Sequence, residues 1–381
     1  MPRQAAEPIR PGERILALDV LRGFAMFGVL LAYCLWSLGT APPETYGPLD
    51  ARLDAVASFL VDGKMYTILA FLFGVGFSIQ LGRAGDDATA VRFYLRRLAA
   101  LAAIGLAHAF LLRNGDILLP YALTGFLLVP LRRSPDWALF LVAGIALFVP
   151  PALRTAFDAA GIAMPQRPDL ANAPYLVENA AWVRYWWEMI PFTWPMNLVL
   201  FLFGFCAGRR RLLTSLAGNA RRLTAILAAG LVAGSAFYGL LRLQLAQDGA
   251  AALLGPTGVY LSYQFHCWGL ASAYAAALLL ALRTESVRAA LSGFAAVGRA
   301  ALTNYLAQAG IIVPLCLTFG WFDRFTPATA LLLALAVFGL QLAFSIWWLR
   351  RFQFGPAEWV WRVMTYGRVP PLKAGTDYAP V

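Results

Sequence analysis

The chain is short of charge and almost without histidine. Charged residues fill 13% of its 381 positions and hydrophobic residues 60%, whereas a soluble domain is charged at about a quarter of its positions. That shortage excludes a water-soluble globular class. The catalytic signatures that announce themselves in sequence are missing too. There is no P-loop, no CxxC, no HExxH and no GxSxG, so ATP-driven, redox and metal chemistry have no motif behind them and no metal is expected. The four cysteines, Cys34, Cys206, Cys267 and Cys316, sit singly in apolar runs, and no pair has metal-ligand spacing. They read as buried thiols.

What the chain does have is a succession of apolar stretches about 20 residues long, enough to cross a bilayer as helices. Ten fall at 15–38, 56–81, 93–112, 115–131, 137–157, 191–208, 222–245, 257–282, 294–318 and 327–349. The first is too long for a signal-peptide core and has no small-residue cleavage site near its end, so it is expected to be retained. The expected fold class is all-α, a polytopic membrane helix bundle with membrane lipids as its surroundings. The net charge of +11 comes in small groups between the spans, a pattern that argues against nucleic acid as partner. With the N-terminus inside, 22 Lys and Arg fall on the cytoplasmic side and 8 outside, with Arg22 within the first span. This bias predicts that both termini are cytoplasmic.

Two local patterns stand out. The tetrapeptide FLFG occurs at 71–74 and again at 201–204, each time in a span that runs into a basic loop. It reads either as a trace of duplication or as two helices that end alike. The longest outer loop, 158–190, ends in AWVRYWWEMIPFTWP, with six aromatics between Trp182 and Trp194. That segment reads as an interfacial belt on the outer surface or as the wall of a sugar site. Pro191 and Pro195 are expected to break any long helix there.

Ionisable side chains inside spans are costly and point to pairing or function. The sequence HAFLLRNGDIL places His108 at the end of the third span and Asp116 at the start of the fourth, joined by a tight Asn114-Gly115 turn. The two helices must then be antiparallel neighbours, and the two side chains can meet across the hairpin. A carboxylate beside an imidazole fixes its tautomer and raises its basicity, as a general base requires. The alternative is a polar lock in which Asp116 caps the fourth span. Asp19 and Arg22, three apart in LDVLRG, can pair on one helical face, either as an interface ion pair or with Arg22 turned to an anionic ligand. Asp62 and Lys64 lie near the outer end of the second span, where Lys64 can snorkel or contact substrate. His266 falls in the outer half of the eighth span, facing a cavity shared with His108 and Asp116 or packed among aromatics. Asn304 and Gln308 share a face of the ninth, as interhelical amides or substrate contacts.

Five segments together resemble the YeiB family of bacterial membrane proteins, which end in a domain of unknown function numbered 418. They are LDVLRGFAMFGVLL (18–31), FLVDGKMYTILAFLFGVGF (59–77), HAFLLRNGDILLPYALTGFLL (108–128), GRAALTNYLAQA (298–309) and FGPAEWVWRVMTYG (354–367). The resemblance covers nearly the whole chain. It implies an N-terminal transmembrane region over 1–215, a C-terminal domain over 220–381, and residence in the bacterial inner membrane. More distantly, the family resembles transmembrane acyltransferases of the heparan-α-glucosaminide acetyltransferase and acyltransferase-3 types, several of which share the LDxxRG start. This implies acyl transfer from cytoplasmic acyl-CoA to an extracytoplasmic acceptor such as a sugar. On that reading Arg22 and nearby basic residues would hold the CoA phosphates. Two features depart from the pattern. Tyr33 stands where asparagine is common in the family, and residues 40–55 contain none of the heparan-type outer-loop histidine, with Glu44 the only obvious base.

Three functions compete. An acyltransferase would use His108 and Asp116 as its catalytic pair, with Asp19, Arg22, Asp62, Lys64, His266 and Asn304 around the substrates. A transporter or permease would use the same buried charges as a pathway, although no helix break paired across two repeats is legible in the sequence. A structural membrane protein would use them only to lock helices together.

Overall fold

The computed structural model describes residues 16–38, 41–84, 88–168, 173–246 and 254–373, and these are helical apart from turns and one isolated antiparallel bridge between Phe352 and Lys373. The helices run Leu16–Trp36 (α1), Pro48–Leu60 (α2), Lys64–Ala84 (α3), Ala88–Leu111 (α4), Leu118–Leu131 (α5), Asp136–Ala159 (α6), Tyr175–Glu188 (α7) and Ile190–Arg209 (α8). They continue as Leu212–Ala217 (α9), Ala220–Ala246 (α10), Gly255–Ala281 (α11), Glu285–Ala290 (α12), Ser292–Arg299 (α13), Ala301–Phe319 (α14), Pro327–Leu349 (α15) and Pro356–Tyr366 (α16). Each of the ten apolar stretches corresponds to a helix or a pair of helices. Eight helical segments among the described residues are long and apolar enough to cross a membrane, with Pro48–Leu81 counted as one. The shorter apolar helix Leu118–Leu131 has 14 residues, and α11 runs for 27.

The described residues divide into two compact units. The first takes 70–219 and 228–270. In it α8 packs against α5 and α6, α4 pairs with α5, and α7 lies on α4. The repeated FLFG has a physical meaning here. A side chain on Gly74 would strike the backbone of Phe201 and Phe205, and one on Gly204 would strike Phe71 and Gly74. The two copies therefore meet face to face at the crossing of α3 and α8, and Phe73 stacks on Phe201 with ring centroids 4.8 Å apart. Lipid offers no hydrophobic drive for helix association, so close approach through glycine supplies van der Waals contact instead.

The second unit takes the rest, and α1 packs against α13, α14 and α15. The glycine of LDVLRG is again a packing residue. A side chain on Gly23 would collide with the Phe294 carbonyl, and one on Gly298 with Asp19 and Gly23. Val20, Leu282 and Ala295 are buried together behind this crossing.

Two spans that read as continuous in the sequence are broken in the second unit. Between α2 and α3, residues 61–63 form a turn with Gly63 at φ +75°, a left-handed conformation that suits glycine. Between α13 and α14, Ala300 leaves helical geometry at φ −106°, ψ 36°. Sequence periodicity reports apolar faces and is blind to a break of one to three residues when both halves stay apolar. At the proline pair of the aromatic segment, α7 and α8 separate at Met189, with Pro191 in the first turn of α8 and Pro195 inside it. Pro191 thus starts a helix, as proline can, and Pro195 does not end it.

Candidate functional site

The hairpin of α4 and α5 brings His108 and Asp116 together in the first unit. His108 Nδ1 and Asp116 Oδ1 are 2.9 Å apart, and their side chains are 1% and 2% exposed. The second carboxylate oxygen, Oδ2, accepts the Leu119 backbone N–H at 2.7 Å, so Asp116 also caps the first turn of α5. Gly105, one turn before His108, makes this closeness possible. A side chain there would press on Leu119 N and on Asp116 Oδ2. Asp116 is therefore both the partner of the imidazole and the cap of α5. One of its oxygens is anchored by the backbone and the other meets Nδ1 of the ring.

The pair sits at the end of a short helix: the fourteen residues of α5 span about 21 Å, less than the roughly 30 Å of hydrocarbon. Helix α7 covers the end of α4 beside it. Asn179, buried, donates to the carbonyls of Ala109 and Phe110 (2.9 Å for the second), and Tyr175 Oη donates to the carbonyl of Leu112. These are carbonyls that the end of α4 leaves without helical partners. Trp182, Tyr185 and Trp186 cluster on the same helix, with Trp187 largely exposed. Arg113, in the turn itself, is also buried.

The remaining residues expected at a site fall elsewhere. Arg22 Nη1 lies 3.3 Å from Asp19 Oδ1, and Arg22 keeps 34% of its side chain exposed. Both belong to the second unit. Lys64 does not snorkel. It is fully buried and donates from Nζ to the Ser58 carbonyl at 2.9 Å, near the end of α2 where the helix breaks. Asp62 is part of the same turn and half-buried. His266 packs between α10 and α11 in the first unit, with Nδ1 2.8 Å from the Gly234 carbonyl and its ring against Tyr238. Asn304 serves the second break. Its amide donates to Val297 O (3.3 Å), Ala300 O and Ser345 Oγ (2.9 Å each). Gln341 donates to the Asn304 carbonyl at 2.7 Å, and Gln308 to the Met26 carbonyl at 3.3 Å. On the other side of that break, the Glu358 carboxylate accepts the Leu302 and Thr303 N–H groups at the start of α14 (2.6 and 3.2 Å) and the Thr303 hydroxyl. Burial pushes the Glu358 carboxyl above the usual range, and the hydrogen bonds from Thr303 and Leu302 oppose the shift.

Residue-by-residue reading missed Asn179, Tyr175, Gly105, Arg113, Gln341 and Glu358. Gly105 carries a signal of a kind, a small residue one helical turn before an intramembrane histidine. The others depend on long-range partners. Among the described residues, no group of three His, Cys, Asp or Glu is placed to hold a metal ion.

Fold and site together define a multi-pass helical membrane protein that keeps an imidazole–carboxylate pair within its apolar interior. Residues 207–368 match the family described as a protein of unknown function, DUF418. Along almost its full length the chain is similar to bacterial proteins. It is 33% identical to an uncharacterized 39.9 kDa protein in the amylase 3′ region of Bacillus acidopullulyticus, over 96% of this chain and 98% of that one. It is 30% identical to the uncharacterized protein YxaH of Bacillus subtilis (strain 168), over 97% and 98%, and 28% identical to the uncharacterized protein YeiB of Escherichia coli (strain K12), over 96% and 100%. The chain belongs to the YeiB family. No solved structure matches it significantly.

Proposed function

We propose that the protein is an acyltransferase of the bacterial cytoplasmic membrane, with both termini inside, moving an acyl group from acyl-CoA to a hydroxyl or amine on the outer side. The observation that carries this reading is the 2.9 Å contact between His108 and Asp116, both buried and with Asp116 fixed by the Leu119 N–H. An oriented imidazole is what a general base for an acceptor hydroxyl needs. In the proposed step Nε2 takes the acceptor proton as the acceptor oxygen bonds to the thioester carbonyl carbon. The C–S bond breaks, and the CoA thiolate recovers the proton from the imidazolium that Asp116 stabilises. The resemblance of LDVLRG to transmembrane acyltransferases supports acyl-CoA as donor, with Arg22 and Asp19 on the donor side. The exposed tryptophans of α7 beside the hairpin suit a carbohydrate acceptor, since aromatic faces stack on sugar rings.

One observation favours a permease instead. Broken helices at 61–63 and at Ala300 are the kind of interruption from which transporters build midplane sites. Purified protein in proteoliposomes, given acetyl-CoA labelled in the acyl group outside and candidate acceptor sugars inside, separates the two. A transferase produces acylated sugar with release of free CoA thiol. A permease equilibrates one solute across the membrane and leaves the thioester intact.

A further inference from the structure

Away from the His108–Asp116 pair, five arginines of the first unit lie in two chain segments joined through one carboxylate. Arg132 and Arg133 follow α5, and Arg209, Arg210 and Arg211 follow or close α8, while Asp136 starts α6. Arg209 Nη1 is 3.3 Å from Asp136 Oδ1, and Arg210 Nη2 is 2.7 Å from Asp136 Oδ2. Arg209 also donates to the carbonyls of Ser134 (2.8 Å) and Arg132, and its guanidinium lies 4.3 Å over the Phe205 ring. Asp136 and Arg209 thus clamp the two segments together. Arg210 donates to the same Oδ2 from Nε as well (2.9 Å) and still keeps 62% of its side chain exposed. Arg132 donates from Nη1 to the Val129 carbonyl, but its Nε is buried without a hydrogen bond. Arg211 adopts φ +50°, a left-handed conformation that a non-glycine residue holds only under constraint.

Five cations against one carboxylate leave a local charge of +4. The positive-inside rule asks for basic residues on this side, but it does not ask that two basic segments be clamped together. Nor does it ask for arginine. Of the 31 basic residues in the chain, only Lys64 and Lys373 are lysine. A planar guanidinium fork matches phosphate oxygens two at a time, which an ammonium cannot do.

We infer that Arg132, Arg133 and Arg210, held in place by the Arg209–Asp136 clamp, form a binding site for a phosphate group. The source is either the phosphates of CoA or the headgroup of an anionic phospholipid. The inference does not depend on acyl transfer, since a phospholipid would satisfy the same forks in a protein that catalyses nothing. If CoA is the source, its phosphates dock in the first unit and not at Arg22.

The test has two arms on the full-length protein. In neutral detergent, isothermal titration measures binding of CoA and of dephospho-CoA. In parallel, native mass spectrometry measures phosphatidylglycerol retained from phosphatidylglycerol/phosphatidylcholine nanodiscs. Arg210→Ala and Arg133→Ala, both at exposed positions, are expected to weaken binding of the true source five- to tenfold. Arg132→Lys, which keeps the charge and loses the fork, should weaken it severalfold. Arg154→Ala, in the exposed Arg154–Asp158 pair, serves as control and should change nothing. Arginine-dependent binding in the CoA arm or the lipid arm supports the site and names its source. Binding in neither arm, or binding indifferent to all three arginine variants, overturns it. Such a failure leaves the His108–Asp116 reading to its own assay, which measures transfer and not affinity.

Discussion

The helix breaks of the second unit and the α4–α5 hairpin of the first hold their buried polar side chains in different ways. In the second, Lys64 and Asn304 reach back to the carbonyls around a helix break, and Glu358 takes the N–H groups beyond one of them. In hydrocarbon an unsatisfied peptide group costs several kcal/mol, so these side chains complete a backbone that the breaks leave open. In the first unit, His108 and Asp116 face each other across an intact hairpin, and Asp116 gives one oxygen to the ring and the other to the Leu119 N–H. Side chains bonded to main-chain groups around a break close the backbone there. An imidazole beside a carboxylate is the arrangement that a proton acceptor needs. That difference, more than the rarity of histidine, singles out the hairpin.

The contrast can be broken by mutation. The largest effect is expected from Asp116→Ala, which removes the partner of a buried imidazole and the cap of α5 together. A loss of about 3–5 kcal/mol is expected, read as a lower melting temperature in detergent. An unchanged melting temperature would show that the pair is not buried as described. Asn304→Leu comes next. Two carbonyls at the α13–α14 break and one hydroxyl lose their donor, and about 2–4 kcal/mol should go with them. Its activity, measured at a temperature where it stays folded, should remain near that of the wild type. A folded but inactive Asn304→Leu would move Asn304 from repair to chemistry.

Glu358 gives a smaller effect with a definite sign. Its carboxyl is raised in the folded protein by burial, so the folded state binds the proton more tightly than the unfolded chain does. The stability linked to that proton is fully present below the unfolded carboxyl value and is lost as pH rises through the folded one. The wild type should therefore gain stability relative to Glu358→Gln as pH falls from 7 toward 4.5. A gap that widens in the other direction would mean that the helix N-terminus, not burial, sets the ionisation. Smallest of all is the Asp19–Arg22 pair, partly exposed at 3.3 Å. Exchanging the two residues should alter stability by less than about 1 kcal/mol, and a larger loss would mark the pair as structural.

Much of this was legible in the sequence. Apolar length located all ten helical stretches, because hydrocarbon thickness sets a length that composition reports directly. The Asn-Gly turn between two apolar runs was enough to bring His108 within reach of Asp116. The break at Ala300 was not legible, since alanine carries no turn signal, whereas Asp62-Gly63 is a turn signal that the length of the surrounding apolar stretch masked. Without the breaks, Lys64 reads as a snorkelling cation and Asn304 as an interhelical amide, and the carbonyls they bind are invisible. The purpose of the FLFG repeat was hidden for a related reason. A repeated string does not say that its two copies touch, and only the glycine contacts at Gly74 and Gly204 reveal it. Asn179 and Glu358 lie 70 and 56 residues from the helix ends they cap, beyond any local pattern.

The proposed transfer requires His108 to act as a base and not only as one half of a lock. The most direct measurement is single-turnover acyl transfer by His108→Gln in proteoliposomes, with the melting temperature recorded beside it. Glutamine keeps a donor toward Asp116 and cannot take a proton. The account predicts a melting temperature close to wild type and a transfer rate lower by about 10²–10⁴-fold. Transfer at the wild-type rate from a folded His108→Gln would contradict it.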